Sequence, residues 1–156
     1  MTRILSVLAA VLTLAVGMPA GAQDKSKGTS AEATTMVDKA IAHIKKVGRD
    51  KAFADFSSKK EPWVDRDLYV VVYDMKGKVL AHGANEKMIG KDVIELRDND
   101  GKFFVKERVE MMSKGPEAKG WQDYKFMNPV SRQIEPKSMY LRRHEDLIVG
   151  CGIYKS

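Results

Sequence analysis

The sequence has little of the material from which metal sites and disulfides are built. It contains one cysteine, Cys151, among 156 residues. A lone cysteine excludes an intramolecular disulfide and a cysteine-based metal cluster within one chain, and c-type haem attachment needs a Cys-x-x-Cys-His segment that is absent. Because Cys151 lies in the apolar run 148–154, we expect a buried and unreactive thiol.

Histidine is also scarce. The three histidines, His43, His82 and His144, are far apart in the chain and form no metal-binding pair. A segment rich in Asp, Asn and Gly around Asp98 partly matches a calcium loop, but Leu96 stands at the first ligand position and cannot bind a hard cation. We therefore predict a turn there, no cofactor, no metal site and no enzyme.

Long apolar runs are confined to the N-terminus. A basic start at Arg3 precedes the apolar run 4–16, and small residues with Pro19 follow up to Ala22. This pattern is typical of a secretory signal peptide, and the run is shorter than the roughly 20 residues that span a bilayer. We predict a signal peptide at 1–22, a linker with the start of a helix at 23–34, and one domain at 35–156. An uncleaved anchor is the alternative, and the predicted location is the periplasm.

Charge of one sign is never concentrated. The formal net charge is +6, but basic and acidic residues alternate along the chain without a run of like charges. Such mixing is typical of a solvated surface, and an exported protein does not meet nucleic acid, so we expect no nucleic-acid partner. The mild positive field favours anionic ligands.

The hydrophobic periodicity changes from helical to extended along the chain. Apolar residues recur three and four apart from Met36 to Val47, and Gly48 is a natural end for that helix. The other predicted elements are a short helix at 52–56, strands at 68–74 and 79–83, a helix at 103–112, and strands at 120–127, 137–142 and 146–154. Short connections make neighbouring strands antiparallel, so the sequence predicts an α+β domain with a long N-terminal helix on a five-stranded, mainly antiparallel sheet.

The predicted strands carry the polar and aromatic side chains of a candidate ligand pocket. Lys137 is the best counter-charge for a carboxylate, with hydroxyl and indole groups as directional donors. Alternate residues of a strand share a face, so we expect at most one of Trp121 and Tyr124, and one of Lys137 and Tyr140, to face one cavity. A surface lysine among ordinary core aromatics is the alternative. The candidate ligand-binding residues are Tyr69, His82, Trp121, Tyr124, Lys137 and Tyr140.

An ordered set of segments resembles the single Cache domain family, in particular its second subtype. These segments are 40–54, 67–74, 77–83, 89–92, 98–103, 120–124, 128–129, 136–140 and 149–154. The resemblance implies a PAS-like fold with a ligand cavity between the sheet and residues 85–113. It also implies an extracytoplasmic sensor of a type usually fused to chemoreceptors or histidine kinases, many of which bind small organic molecules such as short carboxylates.

Two functions compete at this point. The first is a sensing module that binds a small molecule, preferably a short organic acid. The second is a module without a ligand that docks on a membrane receptor or histidine kinase, or forms a homodimer, through the N-terminal helix. An inward Lys137 beside a cavity favours the binder, whereas a broad exposed apolar patch on residues 36–47 favours the docking module.

Overall fold

A computed structural model describes residues 25–155, and its longest helix is α1, Ser30–Val47. Thr29 starts this helix with a reciprocal capping box, in which its hydroxyl accepts from the backbone of Glu32 and the Glu32 carboxylate accepts from the backbone of Thr29. Gly48 ends it with a φ of 84°, a region that favours glycine. The helix α2, Arg49–Phe56, follows directly.

Seven strands, one further α-helix and a short 3-10 helix at Glu86–Met88 complete the domain between residues 25 and 155. The central sheet is antiparallel throughout, with strand order β4-β3-β7-β6-β5, and β1 pairs separately with β2. The elements are β1 Val64–Asp65, β2 Leu68–Tyr69, β3 Val71–Asp74, β4 Val79–His82, α3 Phe104–Met112, β5 Lys119–Met127, β6 Ile134–His144 and β7 Leu147–Tyr154.

The two faces of the sheet are covered by different parts of the chain. Helices α1 and α2 cover one face, which we call the α1 face, while α3 and the loop before it cover the other, which we call the α3 face. Alternation along the strands divides the core accordingly, so that Val70 and Val72 pack on the α1 face and Val71 and Tyr73 on the α3 face. The predicted α+β fold, with its N-terminal helix and five-stranded antiparallel sheet, is confirmed.

Details of two strands differ from the sequence predictions. The strand predicted at 68–74 is interrupted at Val70, because Leu68 and Tyr69 pair with β1 while Val71 onward pairs within the main sheet. Strand β6 begins three residues before Lys137, and Pro136 lies inside it opposite Lys125. The pairing of β6 with β5 therefore continues through this proline.

The N-terminal predictions are only partly within the described residues. The signal peptide predicted at 1–22 lies outside residues 25–155. Within the predicted linker, helix α1 already begins at Ser30, and the backbone of Gly28 donates to Asp67 at 2.6 Å. None of the helices found between residues 25 and 155 has the length and apolarity to cross a membrane.

Candidate ligand-binding site

The α3 face contains a lysine whose amino group is directed inward. Lys137 in β6 is 1% exposed, and its Nζ donates to the hydroxyl of Tyr69 at 2.7 Å and to that of Tyr154 at 3.3 Å. The same atom lies 3.9 Å from the centroid of the Tyr69 ring and 4.5 Å from that of Tyr154. Lys137 therefore ends in an aromatic, hydroxyl-bearing enclosure and not in solvent.

A glycine on the neighbouring strand makes room for this side chain. A Cβ at Gly152 would lie 2.6 Å from the Cε atom of Lys137, which is closer than two carbon atoms can approach. Tyr154, the direct cross-strand partner of Lys137, stands two residues further along β7. The absence of a side chain at Gly152 thus lets the lysine chain lie along β7 and reach the tyrosine hydroxyls.

Burial also decides the protonation of the lysine. Desolvation lowers the pKa of Lys137 from 10.5 to about 7, and the positive charge of Arg108 acts in the same direction. Cys151 and Asp67 act on this pKa in the opposite direction, but desolvation outweighs them. At neutral pH both the ammonium and the amine forms are therefore populated.

The second buried cation on this face is Arg108 of α3, which is fully buried. Its Nε donates to the side-chain oxygen of Gln122 at 3.2 Å, and its guanidinium carbon lies 4.9 Å and 5.2 Å from the ring centroids of Tyr73 and Tyr124. Its two terminal nitrogens are buried and make no hydrogen bond of standard geometry with the described residues. Burial lowers the pKa of Arg108, but the nearby Tyr73 and Tyr124 side chains raise it and leave it above its ordinary value. Buried polar groups are nearly always paired, so these two nitrogens mark a place where an acceptor is missing.

His82 supports the site as a neutral side chain. Its ring stacks on Tyr69 with centroids 5.1 Å apart, and its Nδ1 accepts from the backbone N–H groups of Ala84 and Asn85. Burial lowers the pKa of His82 to about 3, with the charges of Lys137 and Arg108 acting in the same direction. His82 thus anchors the start of the covering loop and adds no charge to the site.

The structure brings four of the six predicted site residues together and separates the other two. Tyr69, His82, Tyr124 and Lys137 share the α3 face, and Tyr124 is the direct cross-strand partner of Lys137. Trp121 and Tyr140 pair with each other on the α1 face, with ring centroids 5.3 Å apart and Trp121 40% exposed. Residues three apart in a strand are expected to face opposite sides of the sheet. The register agrees with this expectation for Trp121 with Tyr124 and for Lys137 with Tyr140.

Sequence reasoning missed Arg108 and the tyrosines Tyr73 and Tyr154. The usable signal was present for Arg108, because it occupies a position of the apolar stripe of the helix predicted at 103–112. A charged residue on the buried stripe of an amphipathic helix needs a partner, and the stripe faces the sheet. Nothing comparable distinguishes Tyr73 or Tyr154 from ordinary core aromatics.

A surface cleft of about 270 Å³ reaches this region from outside. Lys137 and Tyr124 are among its lining residues, whereas Arg108 is not. Ion pairs join its rim, Asp100 with Lys125 and Asp123 with Lys155. A larger open cleft of about 400 Å³ lies beside α1, but neither buried cation lines it. Within residues 25–155, no group of three or more metal-binding side chains lies close enough to hold an ion.

Solved structures of known proteins share this fold. A methyl-accepting chemotaxis protein of Vibrio parahaemolyticus has a TM-score of 0.68 at 20% identity, with 80% of this chain and 86% of that chain covered. A Cache chemosensory domain solved to explain its carboxylic acid recognition has a TM-score of 0.68 at 18% identity, covering 81% and 93%. A periplasmic sensor domain of a chemotaxis protein has a TM-score of 0.62 at 22% identity, covering 81% and 89%.

One curated relative is a much longer receptor. The methyl-accepting chemotaxis protein McpP of Pseudomonas putida is 28% identical over 92 residues, which make up 58% of this chain and 16% of that protein. The chain thus corresponds to a small part of the receptor's length.

The fold is that of the Cache chemosensory type of domain. The family described as single Cache domain 2 matches residues 6–156, and this chain belongs to it. Cache domains are extracytoplasmic sensor domains, and the family is a sensory one and not a family of enzymes.

Proposed function

We propose that this protein is a periplasmic sensing module that binds a short organic acid on the α3 face, with Arg108 as the primary carboxylate receptor. The observation that carries this proposal is the pair of buried, unpartnered terminal nitrogens of Arg108 among the described residues. Leaving a buried charged donor unpaired costs free energy, and a carboxylate satisfies two guanidinium N–H groups at once. An anionic ligand therefore supplies what the folded chain lacks at this place.

The guanidinium is held in position before a ligand arrives. Gln122 accepts from Arg108 and in turn donates to the carbonyl of Phe104 at 2.8 Å and to Glu107 at 2.7 Å. The rings of Tyr73 and Tyr124 restrict its plane from the sides. Because little side-chain freedom remains to be lost, binding energy is not spent on ordering the receptor.

Lys137 and the tyrosine hydroxyls provide the remaining polarity of the site. Lys137 in its ammonium form adds a second positive charge, and its donors are only partly used by Tyr69 and Tyr154. The aromatic rings around both cations favour a short ligand with few polar groups beyond its carboxylate. Carboxylic acid recognition by a Cache chemosensory domain of similar fold supports the same ligand class.

The sensing role and the periplasmic location rest on separate supports. Chemotaxis receptors recur among the relatives, which supports signal perception, through a membrane receptor or a histidine kinase. The apolar N-terminal run and the extracytoplasmic character of the family support export. Docking through α1 receives no such support, because its apolar stripe, including Val37, Ile41 and Ile44, is buried against the sheet and its outer side is polar.

A thermal-shift screen followed by calorimetry tests the proposal. The purified protein is screened against small organic acids, amino acids, amines and purines, and we expect saturable stabilisation by short carboxylates. Arg108→Met should weaken that binding at least about 30-fold, since loss of one partner of a buried charged hydrogen bond costs about 2 kcal/mol or more. Arg142→Met is the matched control, because Arg142 is a partly exposed arginine that pairs with Asp38.

Two results would contradict the proposal. A flat response to every acid in the panel would remove the ligand class. Unchanged affinity in Arg108→Met, with Arg142→Met behaving alike, would remove Arg108 as the receptor.

A further inference from the structure

The exposed apolar side chains of this protein are concentrated at the hairpin between β5 and β6. Of the five large hydrophobic residues that are exposed between residues 25 and 155, three lie there, Met127, Val130 and Ile134. We call these three the apolar tip. Val130 is 64% exposed, and Met127 and Ile134 are direct cross-strand partners. A cluster of exposed apolar side chains marks a contact site, whereas scattered single ones do not.

Polar side chains hold this hairpin in one shape. Asn128 is 4% exposed, donates to the carboxylate of Glu135 at 2.9 Å and accepts from the backbone of Val130 at 2.9 Å. Ser131 donates to the other carboxylate oxygen of Glu135, and the backbone of Arg132 donates to the carbonyl of Asn128. Glu135 is therefore bonded within the hairpin, and a surface that covers the apolar tip does not have to order it first.

The chain enters the domain beside this hairpin. The backbone of Gly28 donates to Asp67, whose other carboxylate oxygen accepts from the backbone of Tyr154 at 3.4 Å. The hydroxyl of Tyr154 in turn donates to the carbonyl of Met127 at 2.7 Å. The apolar run 4–16 therefore precedes a chain that reaches the folded domain at the same end of the sheet as the apolar tip.

Basic residues accompany the apolar tip. The charged residues of the hairpin segment 127–135 and of the entering segment 25–29 are Lys25, Lys27, Arg132 and Glu135. Hydrogen bonds from Ser131 and Asn128 lower the pKa of Glu135, and the positive charge of Lys27 contributes to this shift, so Lys27 lies near the hairpin. Apolar side chains surrounded by cations match an anionic lipid surface, which takes up the first and attracts the second.

We propose that the apolar tip inserts into the surface of an anionic lipid bilayer. Its side chains leave water at the interface, while Arg132 and the lysines of the entering segment lie at the level of the lipid headgroups. A second copy of the chain fits this place less well, because it would bring its own cations against these. The contact involves neither buried cation of the α3 face, so it goes beyond the proposed ligand binding and does not depend on it. It keeps a sensing module at the membrane, where receptors lie.

A fluorophore attached to the hairpin measures insertion directly. Val130→Cys is labelled with an environment-sensitive dye in the full chain; the native Cys151 is fully buried, and burial raises its thiol pKa to about 12, so it does not compete. We expect a blue shift and shielding from iodide when vesicles of phosphatidylethanolamine and phosphatidylglycerol are added.

The matched control for the label lies at the other end of the sheet. Ile89 is also exposed, and the next residue, Gly90, donates its backbone N–H to Val79 at the end of β4 away from the hairpin. The dye on Ile89→Cys should stay accessible to iodide. Both labelled proteins have the same N-terminus, so the apolar run 4–16 affects them alike.

Substitutions in the Val130→Cys protein separate the apolar from the electrostatic part of the contact. The ratio of shielded to accessible dye should fall at least about fivefold in Met127→Gln with Ile134→Thr. Ile89→Thr should leave this ratio within about twofold. Arg132→Gln should lower it about fivefold on the anionic vesicles and leave it unchanged on phosphatidylcholine vesicles. Added salt should weaken shielding on the anionic vesicles.

Several outcomes would overturn the proposal. Equal access of iodide to the dyes at positions 130 and 89 in the presence of vesicles would show that the tip does not insert. An unchanged ratio in Met127→Gln with Ile134→Thr would remove the apolar tip as the contact, and equal shielding on phosphatidylcholine would refute the preference for anionic lipid. A dye shift that needs no lipid and grows with protein concentration would assign the tip to a second copy of the chain.

Discussion

The two faces of one sheet in this protein differ in what their side chains do. The α1 face carries an apolar cluster, in which the sulfur atoms of Cys151 and Met36 lie 3.5 Å apart. The α3 face is built from alternate residues of the same strands, yet it contains Arg108, Lys137 and His82. A single backbone thus carries two environments because side chains alternate along a strand.

The two faces contribute differently to the free energy of folding. Buried apolar area on the α1 face supplies free energy of folding. The buried cations of the α3 face oppose folding, because charges lose hydration there and Arg108 gains only one hydrogen bond from the described residues. We expect the proposed anionic ligand to relieve this cost, so ligand binding and stability should be coupled on the α3 face alone.

The largest effect on stability is expected from the α1 face. Ile44 is 5% exposed and packs in the apolar cluster between α1 and the sheet. Ile44→Ala should lower the free energy of unfolding by about 2–5 kcal/mol through lost burial and a residual cavity. Denaturant unfolding measures this, and calorimetry on the folded fraction should give an unchanged ligand affinity.

The neighbouring exposed residue is the control for that substitution. Lys45→Ala in the same turn of α1 should change stability by no more than about 0.5 kcal/mol. A loss of ligand affinity in Ile44→Ala comparable to its loss of stability would show that the two faces are not independent.

The next effect belongs to the α3 face and depends on pH. Because burial lowers the pKa of Lys137 to about 7 in the folded protein, the unfolded chain binds the additional proton between pH 7 and the ordinary lysine value. Stability therefore rises with pH in this window, by up to about 1.4 kcal/mol per unit for one proton, and this contribution is lost as the pH falls toward 7. Lys137→Met should remove that slope.

The quantity to measure is the difference in the free energy of unfolding between wild type and Lys137→Met at each pH. Burial raises the pKa of Cys151 to about 12, so the unfolded chain loses this proton first and stability falls above the ordinary thiol value. Cys151 is present in both proteins, so its contribution largely cancels in the difference. Parallel stability curves for wild type and Lys137→Met between pH 7 and 9 would show that Lys137 remains charged when folded.

The sequence predicts the α1 face better than the α3 face. The spacing of Met36, Ile41 and Ile44 defines a helical stripe that can only be buried, and Gly48 marks its end. Strand alternation likewise predicts that Trp121 and Tyr124 separate. These features depend on local periodicity, which is written directly in the order of residues.

The polar site depends on contacts between distant residues. The surroundings of Lys137 include Tyr69, which is 68 residues away in the sequence. They also depend on the absence of a side chain at Gly152. Arg108 meets Gln122 only because α3 crosses β5. No periodicity specifies which distant residues meet, so the sequence named Lys137 as a candidate but did not name Arg108.

The smallest effect is expected where the structure separates two predicted site residues from the others. Trp121 and Tyr140 lie on the α1 face, across the sheet from Lys137, and Trp121 is 40% exposed. Trp121→Phe should therefore change stability by no more than about 0.5 kcal/mol and leave carboxylate affinity within about twofold of wild type. Calorimetry should compare the carboxylate affinity of Trp121→Phe with that of Tyr124→Phe. The second variant removes the hydroxyl that contacts Met139 on the α3 face. A loss of affinity in Trp121→Phe exceeding that of Tyr124→Phe would place the ligand on the α1 face, and the roles assigned to the two faces would have to be reversed.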